Sequence, residues 1–198
     1  MTTGAQKKQP KVLEAQPILG QRGKVIQPFG TLVNYPIGLD EATRAESAEA
    51  LNRVLVETMT LRDLYKKAHW QVTGPTFYML HLLFDEHHKE QASLIDMVGE
   101  RIQTLGALAI AMSADVAERS RIERPPACRE QVPVMLSRLI EAHGKVIEEA
   151  RKATRIAQKN GDESTANLLT SFILPQNEKQ VWFLAPHLVE TPLVRAHD

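Results

Sequence analysis

The chain carries one cysteine, Cys128, in 198 residues. An internal disulfide is therefore excluded, and a lone thiol suits a reducing compartment. Aromatic residues are scarce at 5%, and no run of eighteen apolar residues occurs, so no segment is expected to span a membrane. The opening MTTGAQKKQPKV lacks the apolar stretch that a secretory signal needs. Net charge is missing too: Lys+Arg and Asp+Glu number 24 each, so no overall basic excess announces a nucleic-acid binder. Internal repeats and signs of a second domain are also absent. What remains is a single domain of ordinary apolar content, long enough for a sizeable core and expected in the cytoplasm.

Helical periodicity fills most of the length. Residues 1–34 are rich in Gln, Gly, Pro and Lys and read as an extended N-terminal arm. Lys7, Lys8, Lys11, Arg22 and Lys24 oppose only Glu14 there. Such an arm could contact DNA phosphates without regard to sequence; it could equally be a solubilising tail or a strap on a neighbouring subunit. Residues 35–189 form the body and 190–198 a short tail. Asp40 is a good N-cap for a first helix over about Glu41–Val72. Gly74-Pro75 breaks the pattern before a second helix from Thr76 to Thr104, closed by Leu105-Gly106. Its core face is expected to use Met79, Leu83, Phe84, Leu94, Ile95, Val98 and Ile102. A short helix begins near Ser113, a third long helix spans about Glu130–Lys159, and a fourth runs from Asp162 to Leu184. Pro175 should kink the fourth, and Trp182, Phe183 and Leu184 should pack the bundle end.

The stretch from His69 to Glu100 carries the chemistry. His69 and His81 lie six residues to either side of the Gly74-Pro75 break, so an antiparallel hairpin sets them side by side. On the second helix His81, Asp85, Asp96 and Glu100 fall at about 0°, 40°, 60° and 100°, one continuous face. Yet Asp85 and Asp96 stand roughly 16 Å apart along the axis, far too distant for one ion held by bonds of about 2 Å. Two copies packed antiparallel about a twofold near Glu90 and Gln91 would bring His81 and Asp85 of one subunit against Asp96 and Glu100 of the other. A set of two His and three carboxylates suits iron, manganese or zinc and argues against soft-metal or haem chemistry. The plainer alternative is a solvated acidic face with a surface or core histidine. Adjacent His87 and His88 read more simply as solvated side chains near the dimer seam than as auxiliary ligands.

The pattern His-x11-His-x3-Asp-x10-Asp-x3-Glu, with Trp70 after the first His and Gly74-Pro75 between, resembles the Dps family of mini-ferritins. The likeness continues at Ala50-Leu51-Asn52, Glu100-Arg101-Ile102, Leu105-Gly106, Gly161-Asp162 and Val181-Trp182-Phe183, and so covers about Tyr35 to Val189. It implies an all-α fold: a ferritin-like four-helix bundle with a short crossover helix between the second and third helices. It also implies a homo-oligomeric, twelve-subunit hollow shell built from twofold dimers. Fe(II) would be oxidised at intersubunit ferroxidase centres, two Fe per centre and preferentially by hydrogen peroxide. Ferric mineral would be stored inside and DNA protected. Carried over, the centre is His69, His81, Asp85, Asp96 and Glu100, with Trp70 and His88 flanking it. The resemblance further places Asp162 and Glu163 at an iron-entry pore, where Asn167 replaces an acid found in some relatives.

Three rivals are weighed against this reading. A larger ferritin with an intrachain centre would need Glu-x-x-His on its helices, and no Glu-x-x-His occurs in the sequence. A DNA-compacting nucleoid protein with metal binding secondary is the main alternative. A zinc or manganese store would share the ligands.

Overall fold

The computed structural model describes residues 17–190. Lys7, Lys8 and Lys11 of the arm, and the 191–198 tail, lie outside the described residues. Among those described every regular element is helical: α1 (Glu41–Gln71), α2 (Phe77–Thr104), α3 (Ser113–Arg119), α4 (Val132–Lys159), α5 (Glu163–Leu168) and α6 (Leu174–Leu184), with a π-turn over Leu169–Ile173 joining the last two. Four rods pack as a bundle, α1 against α2 and α4, and α4 against the α5–π–α6 rod. The all-α bundle with its short crossover helix is the expected architecture.

Each boundary has a local cause. The carboxylate of Asp40 accepts from the Thr43 amide at 2.8 Å and caps α1. Gly74 adopts φ +96°, which turns the chain so that α2 folds back along α1. Gly106 ends α2 at φ +86°, and a Cβ there would lie 2.1 Å from the Val33 carbonyl. That close approach lets the Val33 amide bond to the Gly106 carbonyl at 2.8 Å. Arg44 of α1 adds a bond to Val33 O, also at 2.8 Å, so the last residues of the arm are stapled to the end of α2. Buried Glu57 of α1 fixes the stretch after α3 by accepting from Ser120 Oγ (2.8 Å) and the Arg121 amide (3.0 Å). Glu130 does not begin α4 but pairs with Arg138 at 3.1 Å.

The core is aliphatic and comes from all four rods: Leu51, Leu55 and Leu61 from α1, Phe84 and Val98 from α2, and Leu136 from α4 are among its largest or best-buried members, with Leu169 and Ile173 from the π-turn. Two expectations are corrected. Met79 is exposed, and its neighbour Leu80 takes the core position because α2 starts at Phe77 and turns Met79 outward. Of Trp182, Phe183 and Leu184 only Leu184 packs inside. Pro175 shows its effect one step upstream. Lacking an amide hydrogen and crowding the preceding turn, it follows a π-turn in which the Leu174 amide bonds five residues back to Leu169 O. That wider turn advances the helical register by one residue.

Candidate metal centre

His69 near the end of α1 and His81 in α2 meet across the Gly74 turn, as their spacing requires. Their rings stack with centroids 3.8 Å apart and planes at 21°. Nδ1 of His69 donates to the carbonyl of His81 at 2.8 Å, and Nδ1 of His81 donates to the carbonyl of His69 at 2.9 Å. A carbonyl can only accept, so both Nδ1 atoms carry hydrogen, and in the neutral ring the lone pair then sits on Nε2. This tautomer, oriented from behind by a carbonyl, is the form in which histidine binds metals.

The carboxylates differ from one another. Asp85 is flanked by Lys89 Nζ at 2.7 Å and Lys66 Nζ at 3.0 Å. Hydrogen bonds from Lys89 first, then Lys66, hold its carboxyl far below the usual carboxylate range. Asp96 and Glu100 are exposed and make no ion pair or side-chain hydrogen bond among the described residues. Also among the described residues, no group of three metal-binding side chains gathers within one chain, in keeping with the axial distance between Asp85 and Asp96.

The surroundings of this face are apolar. Trp70 and Tyr78 are each 70% exposed, and Phe77, Met79, Leu82 and Met97 are exposed as well. In helical projection Tyr78 and Leu82 fall at about 60° and 100°, the same sector as the carboxylates. Several large apolar side chains exposed together are characteristic of an interaction surface.

His87 is not solvated, contrary to the simpler reading of the sequence: it is 2% exposed. It belongs to a polar chain inside the bundle that sequence reasoning missed. Its Nδ1 donates to the Tyr65 hydroxyl at 3.0 Å, the hydroxyl donates to His143 Nε2 at 2.5 Å, and His143 Nδ1 donates to Asn177 Oδ1 at 2.9 Å. Burial pushes His143 down to about 3 and His87 to about 4, so both rings are neutral at pH 7, and it raises the Tyr65 phenol well above its ordinary value. The signal was present in the sequence: His143 stands between Leu139 and Val146 at core spacing. His88 is half-buried beside Asp85, with its Nδ1 unpartnered among the described residues. Lys66, the other residue that sequence reasoning missed, lies three positions before His69 and so reaches the same face.

The pore expectation is corrected at Asp162. This residue is 1% exposed, caps α5 through the Thr165 amide at 3.0 Å, and pairs with Arg101 at 2.6 Å. A carboxylate so engaged does not line a channel. Glu163 and Asn167 are exposed one turn apart. Arg22 and Lys24 of the arm are exposed too.

Comparison with known proteins agrees with the fold. Residues 48–194 match the ferritin-like domain family. The solved structure of DpsC from Streptomyces coelicolor is 50% identical, with a TM-score of 0.85 over 87% of this chain and 100% of that one. An uncharacterised protein from Kitasatospora aureofaciens is 46% identical over 73% of this chain and 97% of its own length. DNA protection during starvation protein 2 of Bacillus anthracis is 32% identical over 71% of this chain and 94% of its own. The chain belongs to the ferritin-like family and, within it, to the Dps proteins.

Proposed function

We propose that this protein is a mini-ferritin that oxidises Fe(II) at centres shared across a twofold dimer and stores the ferric product in a closed homo-oligomeric shell of twelve subunits. One observation carries the reading. His69 and His81 are oriented for a metal with no third ligand beside them among the described residues, while Asp96 and Glu100, unpaired among those residues, stand farther along the same helix beside exposed apolar side chains. Antiparallel pairing about a twofold completes both half-sites and buries those apolar side chains.

Iron is substrate here. Asp96 and Glu100, with His69 of the partner subunit, form the tighter site: two unengaged carboxylates suit a hard cation. His81 and Asp85 form the weaker one, because a second Fe(II) must displace the Lys66 and Lys89 ammonium groups from Asp85. Two Fe(II) each lose one electron, and hydrogen peroxide with two protons becomes two waters. Supplying both electrons at one place avoids the hydroxyl radical that a lone Fe(II) generates. That chemistry alone protects DNA in the cytoplasm. Contact with DNA through the arm is a second activity, supported by the exposure of Arg22 and Lys24 in an arm that carries three more lysines.

The test is anaerobic Fe(II) loading followed by a stoichiometric peroxide pulse, with ferric absorbance followed in the wild type and in Asp96→Ala/Glu100→Ala and assembly size measured alongside. Rapid oxidation that disappears in an assembled double variant supports the reading. Equal rates in both remove these residues from the chemistry.

A further inference from the structure

Tyr65 and the polar chain that holds it take no part in the shared centre, although Tyr65 precedes His69 by one turn of α1, a rise of about 6 Å. Its ring centroid is also 6.2 Å from that of Phe84, the neighbour of Asp85. Burying such a chain in an aliphatic core is costly unless every member is satisfied, and plain apolar packing would serve the fold as well. Here the hydrogen-bond direction is fixed throughout. Asn177 Nδ2 donates to the Ile173 carbonyl at 2.7 Å, so Asn177 Oδ1 must accept from His143 Nδ1, and His143 Nε2 is left bare opposite the phenol.

We propose that Tyr65 is a one-electron donor to oxidants formed at the intersubunit centre, and that its proton passes to Nε2 of His143 as the electron leaves. The inference rests on the Fe(II)–peroxide reading above. A buried phenol cannot lose an electron alone without leaving an uncompensated charge in a medium of low dielectric. With His143 in contact, the O–H bond of Tyr65 breaks as an N–H bond forms at Nε2. The resulting imidazolium keeps an acceptor, Asn177 Oδ1, on its other nitrogen, and His87 still donates to the phenoxyl oxygen. The electron reduces a hydroxyl radical, released when peroxide meets a centre holding a single Fe(II), and one solvent proton completes a water. A later Fe(II) returns an electron to the phenoxyl and becomes Fe(III), and the proton moves back from His143. Peroxide arriving at a half-loaded centre is thus reduced by two electrons in all. The weaker second site makes half-loaded centres common, which gives the relay its use.

The chain has three tyrosines, and the other two, Tyr35 and Tyr78, are exposed. Tyr35→Phe/Tyr78→Phe therefore leaves Tyr65 as the sole tyrosine without touching the core. The assembled full-length double variant is loaded anaerobically with one Fe(II) per centre, pulsed with peroxide, freeze-quenched and examined by electron paramagnetic resonance, with ferric absorbance read on the same samples. The expected result is a neutral tyrosyl signal that narrows on ring deuteration, shows an exchangeable deuteron coupling in heavy water, and disappears when Tyr65→Phe is added. Ferric product with no tyrosyl signal overturns the relay, as does a signal that survives Tyr65→Phe. If no ferric product forms in the wild type, the ferroxidase reading fails by itself. The relay is then decided on metal-free protein, by pulse-radiolytic azide radical oxidation of Trp182, which is exposed and lies outside the apolar face that the dimer buries. Concentration-independent decay of the indolyl band into a phenoxyl band supports Tyr65 as donor, and indolyl decay without phenoxyl growth overturns it.

Discussion

His69 and His81 are each held by the other's backbone: the Nδ1 of one ring bonds to the carbonyl of the other residue at 2.8 and 2.9 Å, and the rings stack between. Turning either imidazole breaks its own bond to the backbone carbonyl and its stack on the other ring. A metal-binding histidine positioned from behind gains affinity from that support, typically ten- to a hundred-fold. His81→Ala removes a ligand of the weaker site and should weaken Fe(II) binding there by about ten-fold or more, whereas the site that uses His69 should hold, because the His81 backbone carbonyl that orients the His69 ring remains. Anaerobic titration calorimetry on the assembled variant checks this; a first site weakened as much as the second would contradict it.

Asp85 offers the opposite case, a proposed ligand restrained by two lysines. Lys66→Met should free one carboxylate oxygen and strengthen the second Fe(II) site by a few-fold, the scale of a partly exposed ion pair. The first site should not change. The same substitution lets the Asp85 carboxyl rise toward its ordinary value, because the Lys66 hydrogen bond is one of the two main causes of its depression. Proton competition at the second site would then begin at higher pH than in the wild type. Stepwise Fe(II) titrations at pH 7 read the first effect and a carboxyl NMR titration of Asp85 below pH 5 reads the second, and identical curves for variant and wild type would refute them.

The buried histidines set an acid limit on the fold. His143 at about 3 and His87 at about 4 both lie below the ordinary 6.5, because burial disfavours their charged forms. As pH falls, the unfolded chain takes up these protons before the folded one. The stability the neutral rings contribute is whole above about 6.5 and is lost progressively from there toward the folded values. At pH 5 the loss is about 2 kcal/mol per histidine. Urea midpoints should fall between pH 7.5 and pH 5, and His143→Gln should flatten that dependence. A midpoint unmoved by pH would show that the rings are not buried and neutral.

Asp162 and Glu163 are neighbours with separate fates. Removing the Asp162 carboxylate takes away the cap of α5 and leaves Arg101 facing no charge, a cost on the order of 3 kcal/mol. Glu163→Gln changes an exposed side chain and should leave the melting temperature within error while slowing Fe(II) uptake if a pore lies there. Thermal melts and uptake rates of Asp162→Ala and Glu163→Gln distinguish the two roles, and equal melts would contradict the burial of Asp162.

Much of this was legible in the sequence, because the relevant information was local. The Gly74-Pro75 break, the Asp40 cap and the equal spacing of His69 and His81 around the turn fix the hairpin without knowledge of anything distant. The axial distance between Asp85 and Asp96 already ruled out an intrachain ion. What escaped were relationships across helices. Whether His87 faces water depends on Tyr65 and His143, residues of α1 and α4. Asp162 reads as a free acid until Arg101, sixty-one positions earlier, is found beside it. At Pro175 the residue predicted a kink, and the structure answers with an added residue in the turn before it. That shift brings Asn177 against His143, which regular helical counting does not foresee.

The proposed division of the centre between chains has a genetic corollary. Subunits lacking Asp96 and Glu100 would be inactive alone, and so would subunits lacking His69, His81 and Asp85. Co-expressed, they should complement one another. In a mixed dimer one centre combines the intact histidine half of the first chain with the intact carboxylate half of the second, while the other centre loses both halves. Random pairing makes about half the dimers mixed, each with one working centre of two, so about a quarter of the wild-type Fe(II) oxidation should return. An intrachain centre would return none, so two silent alleles restoring an activity would record the symmetry of the assembly.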